Sequence, residues 1–350
     1  MSRIRPATSR TVPSALSRTR SGTRPRTILR RSGLLAAAVG LSFAVATPAI
    51  ATPAASTADG RGDRFPTTIT LPNDAVAGDL GYQPEGIAVT GDTAYVGSLV
   101  DGTITATNLR TGVTTPLVAP DGDPAVGVEA TGKLLLVAGG PSGELRVYDR
   151  TSGVEIAVYT IPDAGFINDI TVAGDTAYFT DSQRAVLYAL PLAGGTVGQP
   201  TKLPLSGDFV LSSAPGAFNA NGIAALDKNT LIVGQSTDPD CSNSALYAVD
   251  ASTGVATRVQ VTGGDVTNAD GIIIRGRTLF VVQNRANSIV ELTLGRDGTT
   301  ATVVRTLTDS NFAVPTTVDF GPKGALYAVN AKFGTVGSDA VPYNIVRIAR

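Results

Sequence analysis

The sequence has no histidine, no tryptophan, one methionine and one cysteine in 350 residues. Each absence removes a chemistry. Without imidazole there is no histidine general base, no Ser-His-Asp triad and no metal centre that needs a His ligand. A single cysteine, Cys241, leaves no intrachain disulfide and no thiolate cluster. With no base of the usual kind to activate it, Cys241 reads as an incidental loop thiol rather than a nucleophile. Aromatic residues make up only 5% of the chain, so Val, Ile, Leu and Ala must build the core, a set that favours strands. No stretch carries helical periodicity long enough for a domain helix.

What is present is 43% hydrophobic residue, 39 Gly and 21 Pro, enough for a large core and many tight turns. The first 51 residues read as a targeting segment, not as fold. Nine arginines and no acid lie between Arg3 and Arg31, an apolar run follows from Gly33 to Ala46, and Ala49-Ile50-Ala51 supplies a cleavage signal. The apolar run is shorter than the roughly 20 residues that cross a bilayer. Arg30-Arg31 ahead of Ser-Gly-Leu-Leu permits twin-arginine export as well as the general secretory route. Residues 52–64 read as a flexible leader. Of 28 Lys+Arg and 29 Asp+Glu, the nine arginines leave with the signal, so the mature chain carries a net charge of −10. That balance argues against nucleic acid or an anionic membrane as partner, and suits a divalent cation.

From residue 85 a period emerges. Each unit opens with a short apolar strand, a tight turn and a second strand. Ile87-Ala88-Val89 precedes Thr90-Gly91-Asp92 and Ala94-Tyr95-Val96, and Val172-Ala173-Gly174-Asp175 precedes Ala177-Tyr178-Phe179. Unit starts near residues 85, 127, 168, 221, 270 and 316 lie 41 to 53 residues apart. Four strands per unit at that spacing predict propeller blades. The expected fold is therefore all-β: a six-bladed β-propeller over 65–350. The chain stops at Asn344–Ile348, a third strand with no fourth, so an N-terminal strand within 65–71 is expected to close blade six.

Four units begin on an oxygen-bearing side chain: Glu85-Gly86-Ile87, Asn168-Asp169-Ile170, Asn221-Gly222-Ile223 and Asp270-Gly271-Ile272. Taken singly, Asn-Gly and Asp-Gly are turn dipeptides and Glu85 is a solvated charge. Taken together, all four precede innermost strands and should converge on the propeller axis. Two carboxylates and two amides suit a hard cation, which takes roughly six to eight oxygens when it is calcium. Zinc prefers His or Cys, which the chain almost lacks.

These units, with Pro84-Glu85-Gly86, Asn168-Asp169, Asn221-Gly222-Ile223-Ala224 and Asp270-Gly271, resemble the senescence marker protein, or regucalcin/gluconolactonase, family of six-bladed propellers. The resemblance covers roughly residues 65–350. It implies that Glu85, Asn221 and Asp270 hold a divalent metal and that Asn168 contacts metal or substrate. Ca2+ is the first choice, with Mn2+ or Zn2+ as alternatives. It also implies a hydrolase of lactones or related esters, in which the metal polarises the ester carbonyl or its water, Asp270 is the catalytic base and Asn168 orients substrate; the signal segment makes it secreted, and a monomer is expected. Phe166 stands where the family usually carries Arg, which implies a less polar substrate than a sugar lactone. The chain also resembles secreted propellers labelled superoxide dismutase, but redox metals for that reaction generally need His or Cys ligands. The competing expectation is a non-catalytic propeller that binds a ligand or protein, with a structural cation.

Three insertions are expected on the metal face: 205–220 before blade four, and 236–244 and 331–342 between second and third strands. Gln283 and Asn284 are weaker pocket candidates.

Overall fold

The computed structural model describes residues 65–72, 81–237, 244–334 and 342–349. The signal and leader segments, Cys241 and most of the 236–244 and 331–342 insertions lie outside the described residues. The short β-branched segments form strands throughout, and the only helices among the described residues are three single 3-10 turns.

The strands assemble into six antiparallel sheets, one per repeat unit. Their innermost strands are Pro84–Thr90, Val128–Thr131, Ile167–Ala173, Ala220–Ala225, Ala269–Arg275 and Pro315–Phe320. Each packs against the next, and the last packs against the first, so the ring is closed. Thr68–Thr70 pairs antiparallel with Asn344–Ile348, with Thr68 opposite Val346 and Thr70 opposite Asn344. Blade six thus takes its outermost strand from the N-terminal side of the chain.

Strand alternation puts apolar side chains on both faces of every blade, and they meet in six clusters, one at each seam. The same turn of the innermost strand feeds each seam: Ile87, Val128, Ile170, Ile223, Ile272 and Val318, all at most 5% exposed. With no tryptophan in the chain, tyrosines fill the wide spaces. Tyr188, Tyr247 and Tyr327 are at most 1% exposed. Hairpin turns between first and second strands use Gly91, Gly174 and Gly276 at φ of 59°, 61° and 64°, a region open to glycine at little cost.

Blades four and five differ from the four-strand expectation. Ser206–Gly207 and Gln260–Thr262 each add a fifth, parallel strand outside the last antiparallel one. These segments link consecutive blades, and their backbone covers an edge that would otherwise expose unpaired groups.

Candidate functional site

Glu85, Asn168, Asn221 and Asp270 line a single cavity of about 810 Å3 at one end of the ring. All four are at least nine-tenths buried. Each sits where the innermost strand slips register against its neighbour: between Pro84 and Ile87, Ile167 and Ile170, Ala220 and Ile223, and Ala269 and Ile272. A bulge of this kind re-aims a side chain out of the strand's alternation.

The glycine that follows is not a turn residue. Gly86, Gly222 and Gly271 lie inside strands, and a Cβ on Gly86 or Gly222 would come within 2.3 Å of the next blade's Val126 or Asp270 carbonyl oxygen. The turn-dipeptide reading is thus replaced by close approach of two backbones. Carbonyl groups at the bulges accept from hydroxyls of the preceding blade. Thr316 donates to the Glu85 carbonyl at 2.7 Å, Thr180 to the Asn221 carbonyl at 2.8 Å and Ser182 to the Ala220 carbonyl at 2.7 Å. Ser236 donates to the Ala269 carbonyl in the same way.

Those hydroxyls also decide how the amides point. Ser182 Oγ gives its proton to Ala220, so at 2.9 Å from Asn168 it accepts from the Asn168 NH2 group. Ser236 Oγ gives its proton to Ala269, so at 2.9 Å it accepts from the Asn221 NH2 group, which also donates to Asp270 Oδ1 at 3.0 Å. Both amide nitrogens are engaged by protein. Among the described residues no donor reaches the Oδ1 atom of either asparagine, or the Glu85 carboxylate. Asp270 Oδ2 accepts from Asn284 Nδ2 at 2.7 Å.

The result is a buried set of acceptors short of positive charge. Burial, followed by repulsion from Asp270 and Asp169, raises the Glu85 carboxyl well above the usual carboxylate range. Burial likewise pushes Asp270 up to about 7, against the opposing pull of the Asn284 and Asn221 amides. Among the described residues no three Asp, Glu, Cys or His side chains come together at metal-binding distance. Any cation held here would depend on the amide oxygens as well as the two carboxylates. A donor set of oxygen alone fits a hard divalent ion and does not fit zinc in its preferred company.

Other groups reach the same cavity. Asn284, Phe166, and the 205–220 insertion through Phe218 all line it, while the buried Gln283 bonds Thr267 and Ser288 and does not. Phe333 and Ser236 bring the other two insertions to the same face. Phe166 and Phe218 meet edge to face with centroids 5.3 Å apart. Asp181, fully buried, accepts from the Gly165 and Phe166 backbone N–H groups at 2.8 and 3.0 Å and so fixes the segment carrying both Phe166 and Asn168.

Three further acids on the innermost strands, Glu129, Asp169 and Asp319, escape a reading that looks only at unit starts. Asp169 occupies the position that is glycine in Glu85-Gly86 and Asp270-Gly271. Its Oδ2 accepts from Ile223 N of the next blade at 3.3 Å. Asp319 Oδ2 accepts from Val89 N of blade one at 2.6 Å. The signal for them was there: acids in β-branched, buried strands demand partners.

No known family profile matches the chain, and no curated protein matches its sequence. Solved structures do. The Malassezia sympodialis allergen Mala s 1 aligns at 17% identity over 81% of this chain and 96% of its own, with a TM-score of 0.57. Virginiamycin B lyase from Staphylococcus aureus aligns at 14% identity over 75% of this chain and 80% of its own, TM-score 0.53. Streptogramin B lyase aligns at 11% identity over 81% and 98%, TM-score 0.52. At these identities the likeness is one of fold: an allergen and two lyases share the propeller.

Proposed function

We propose that this propeller is a secreted, monomeric hydrolase of lactones or related esters with one axial divalent cation, as its resemblance to the regucalcin/gluconolactonase family implies. The observation that carries the reading is the orientation of Asn168 and Asn221. Their NH2 groups are held by serines whose protons are already committed, which leaves both amide carbonyl oxygens free on residues that line the cavity with Glu85 and Asp270. The Glu85 carboxylate and the two amide oxygens, without donors among the described residues, and Asp270, which receives only neutral amides, call for a cation.

Glu85, Asn168, Asn221 and Asp270 would hold the ion, and Ca2+ suits their oxygens best. When bound, it supplies Lewis-acid polarisation of an ester carbonyl or a water. The residues themselves divide the remaining work. Asp270, steadied by Asn221 and Asn284, takes the proton as water adds to the carbonyl carbon. The acyl C–O bond of the tetrahedral adduct then breaks and Asp270 returns its proton to the leaving alkoxide, giving the hydroxy acid. Asn168 commits one N–H to Ser182 and keeps its second N–H and its Oδ1 atom to orient substrate.

The test is a lactone and ester panel assayed with Ca2+, Mn2+ or Zn2+, for the wild type and Asp270→Ala. Turnover that needs a metal and is lost in Asp270→Ala supports the hydrolase. Cation binding without turnover of any substrate would leave a binding propeller with a structural ion.

A further inference from the structure

The wall of the cavity is chemically divided. Above the buried Glu85 and Asn168, blades one to three contribute Leu99, Val126 and Phe166, and Phe218, from the segment leading into blade four, stands edge-on against Phe166. Blades four and five contribute Ser236, Thr237, Asn284 and Arg285. Arg285 is exposed at the rim and takes part in none of the ion pairs among the described residues. Phe218 is 41% exposed and Phe333, from blade six, also 41%. Large aromatic side chains standing open at a pocket mouth are surface that a ligand can cover.

Phe166 is held there by construction. Its backbone N–H, with that of Gly165, is bound by the buried Asp181, which also accepts from the Tyr188 hydroxyl at 2.9 Å. A polyol would leave its hydroxyls unpaired against this arc, a cost on the scale of about 1–3 kcal/mol for each group left without a partner.

We infer that the ligand is an amphiphile: an ester or lactone group directed at blades four and five, carrying an alkyl or aryl substituent that lies on Leu99, Val126, Phe166 and Phe218. The ester part of the statement rests on the hydrolase reading above. The apolar part rests on the divided wall alone. The cavity, at about 810 Å3, is large enough for both parts.

The experiment uses the Ca2+-loaded full chain and γ-lactones of increasing side-chain length, from butyrolactone to dodecalactone, beside glucono-δ-lactone. The expected result is a rise in kcat/KM of about fourfold for each of the first buried methylenes. The gluconolactone should be the poorest substrate. Phe166→Ala should flatten the chain-length dependence, and Phe166→Arg should shift preference toward gluconolactone. Phe218→Ala, at a half-exposed position, should flatten it in part and covers the case in which the Phe166 variants do not fold. Turnover independent of side-chain length, or a preference for gluconolactone in the wild type, overturns the inference and leaves the hydrolase standing. If no lactone is turned over, calorimetric titration of the same series decides. Binding that tightens with length and weakens in Phe218→Ala upholds the divided pocket and sinks the hydrolase reading. Absence of binding sinks both.

Discussion

Asp169 and Asp319 share the interior of the ring with Glu85 and Asp270, and the two pairs are satisfied in opposite ways. Each of the first pair receives a backbone N–H from the neighbouring blade, Ile223 for Asp169 and Val89 for Asp319, as well as one from its own strand. They are latches between blades. Glu85 receives no donor from the described residues, and Asp270 receives only side-chain amides. Burial raises all four carboxyls, and three of them, Asp169, Asp270 and Asp319, to about 7. A perturbed carboxyl therefore does not by itself distinguish a latch from a site. The distinction lies in whether backbone groups have already claimed the oxygens.

Experiments can break this contrast. The largest effect is expected for Asp270→Ala, which should lower kcat by about 100- to 10,000-fold on the best lactone if Asp270 is the base. A loss smaller than tenfold would demote it to a ligand. Next, Ser236→Ala removes the group that aims Asn221, and by the usual effect of supporting contacts Ca2+ affinity should fall about 10- to 100-fold. Calorimetry showing unchanged affinity would mean that the amide orientation does not matter. Glu85→Gln should weaken Ca2+ binding by at least about tenfold, yet raise the chelator-treated protein's unfolding midpoint at alkaline pH, where the buried carboxyl is ionised and uncompensated. The latches should behave in reverse. Asp319→Ala should cost about 1–3 kcal/mol in urea unfolding, by stranding Val89 N–H, with Ca2+ affinity unchanged.

The smallest effect concerns pH. The folded-state value of Asp319, about 7, lies above its ordinary 3.8. The folded protein therefore binds more protons than the unfolded chain between those limits. The Asp319 contribution to stability is full below about pH 4 and is lost as pH rises toward 7. Asp319→Asn should reduce the pH slope of the cation-free protein by up to about one proton in that window. An unchanged slope would show that Asp319 is ionised throughout.

Much of this was legible in the sequence because a repeat reports itself. Six unit starts, the missing fourth strand and the four aligned oxygens needed only local pattern. The fold followed from them, with Thr68–Thr70 completing blade six. The latches were not legible in the same way. Asp169 meets its partner 54 residues away and Asp319 meets Val89 230 residues away, and only the register between blades brings them together. The same holds for Ser182 and Ser236, whose significance depends on where each sends its one proton. Glycine after Glu85, Asn221 and Asp270 reads as turn chemistry, and only the neighbouring backbone shows why it must be small.

The three-residue pairing of Thr68–Thr70 with Asn344–Ile348 also sets a timetable. It clasps a loop of roughly 280 residues, so its contacts are gained only after nearly all the chain's entropy of closure has been lost. Both Thr68–Thr70 and Asn344–Ile348 must have left the ribosome before the clasp can form. Blade six borders blade one, which carries Glu85. The cavity is therefore among the last features to mature, and a folding intermediate open at this seam would expose two apolar blade faces together with Glu85.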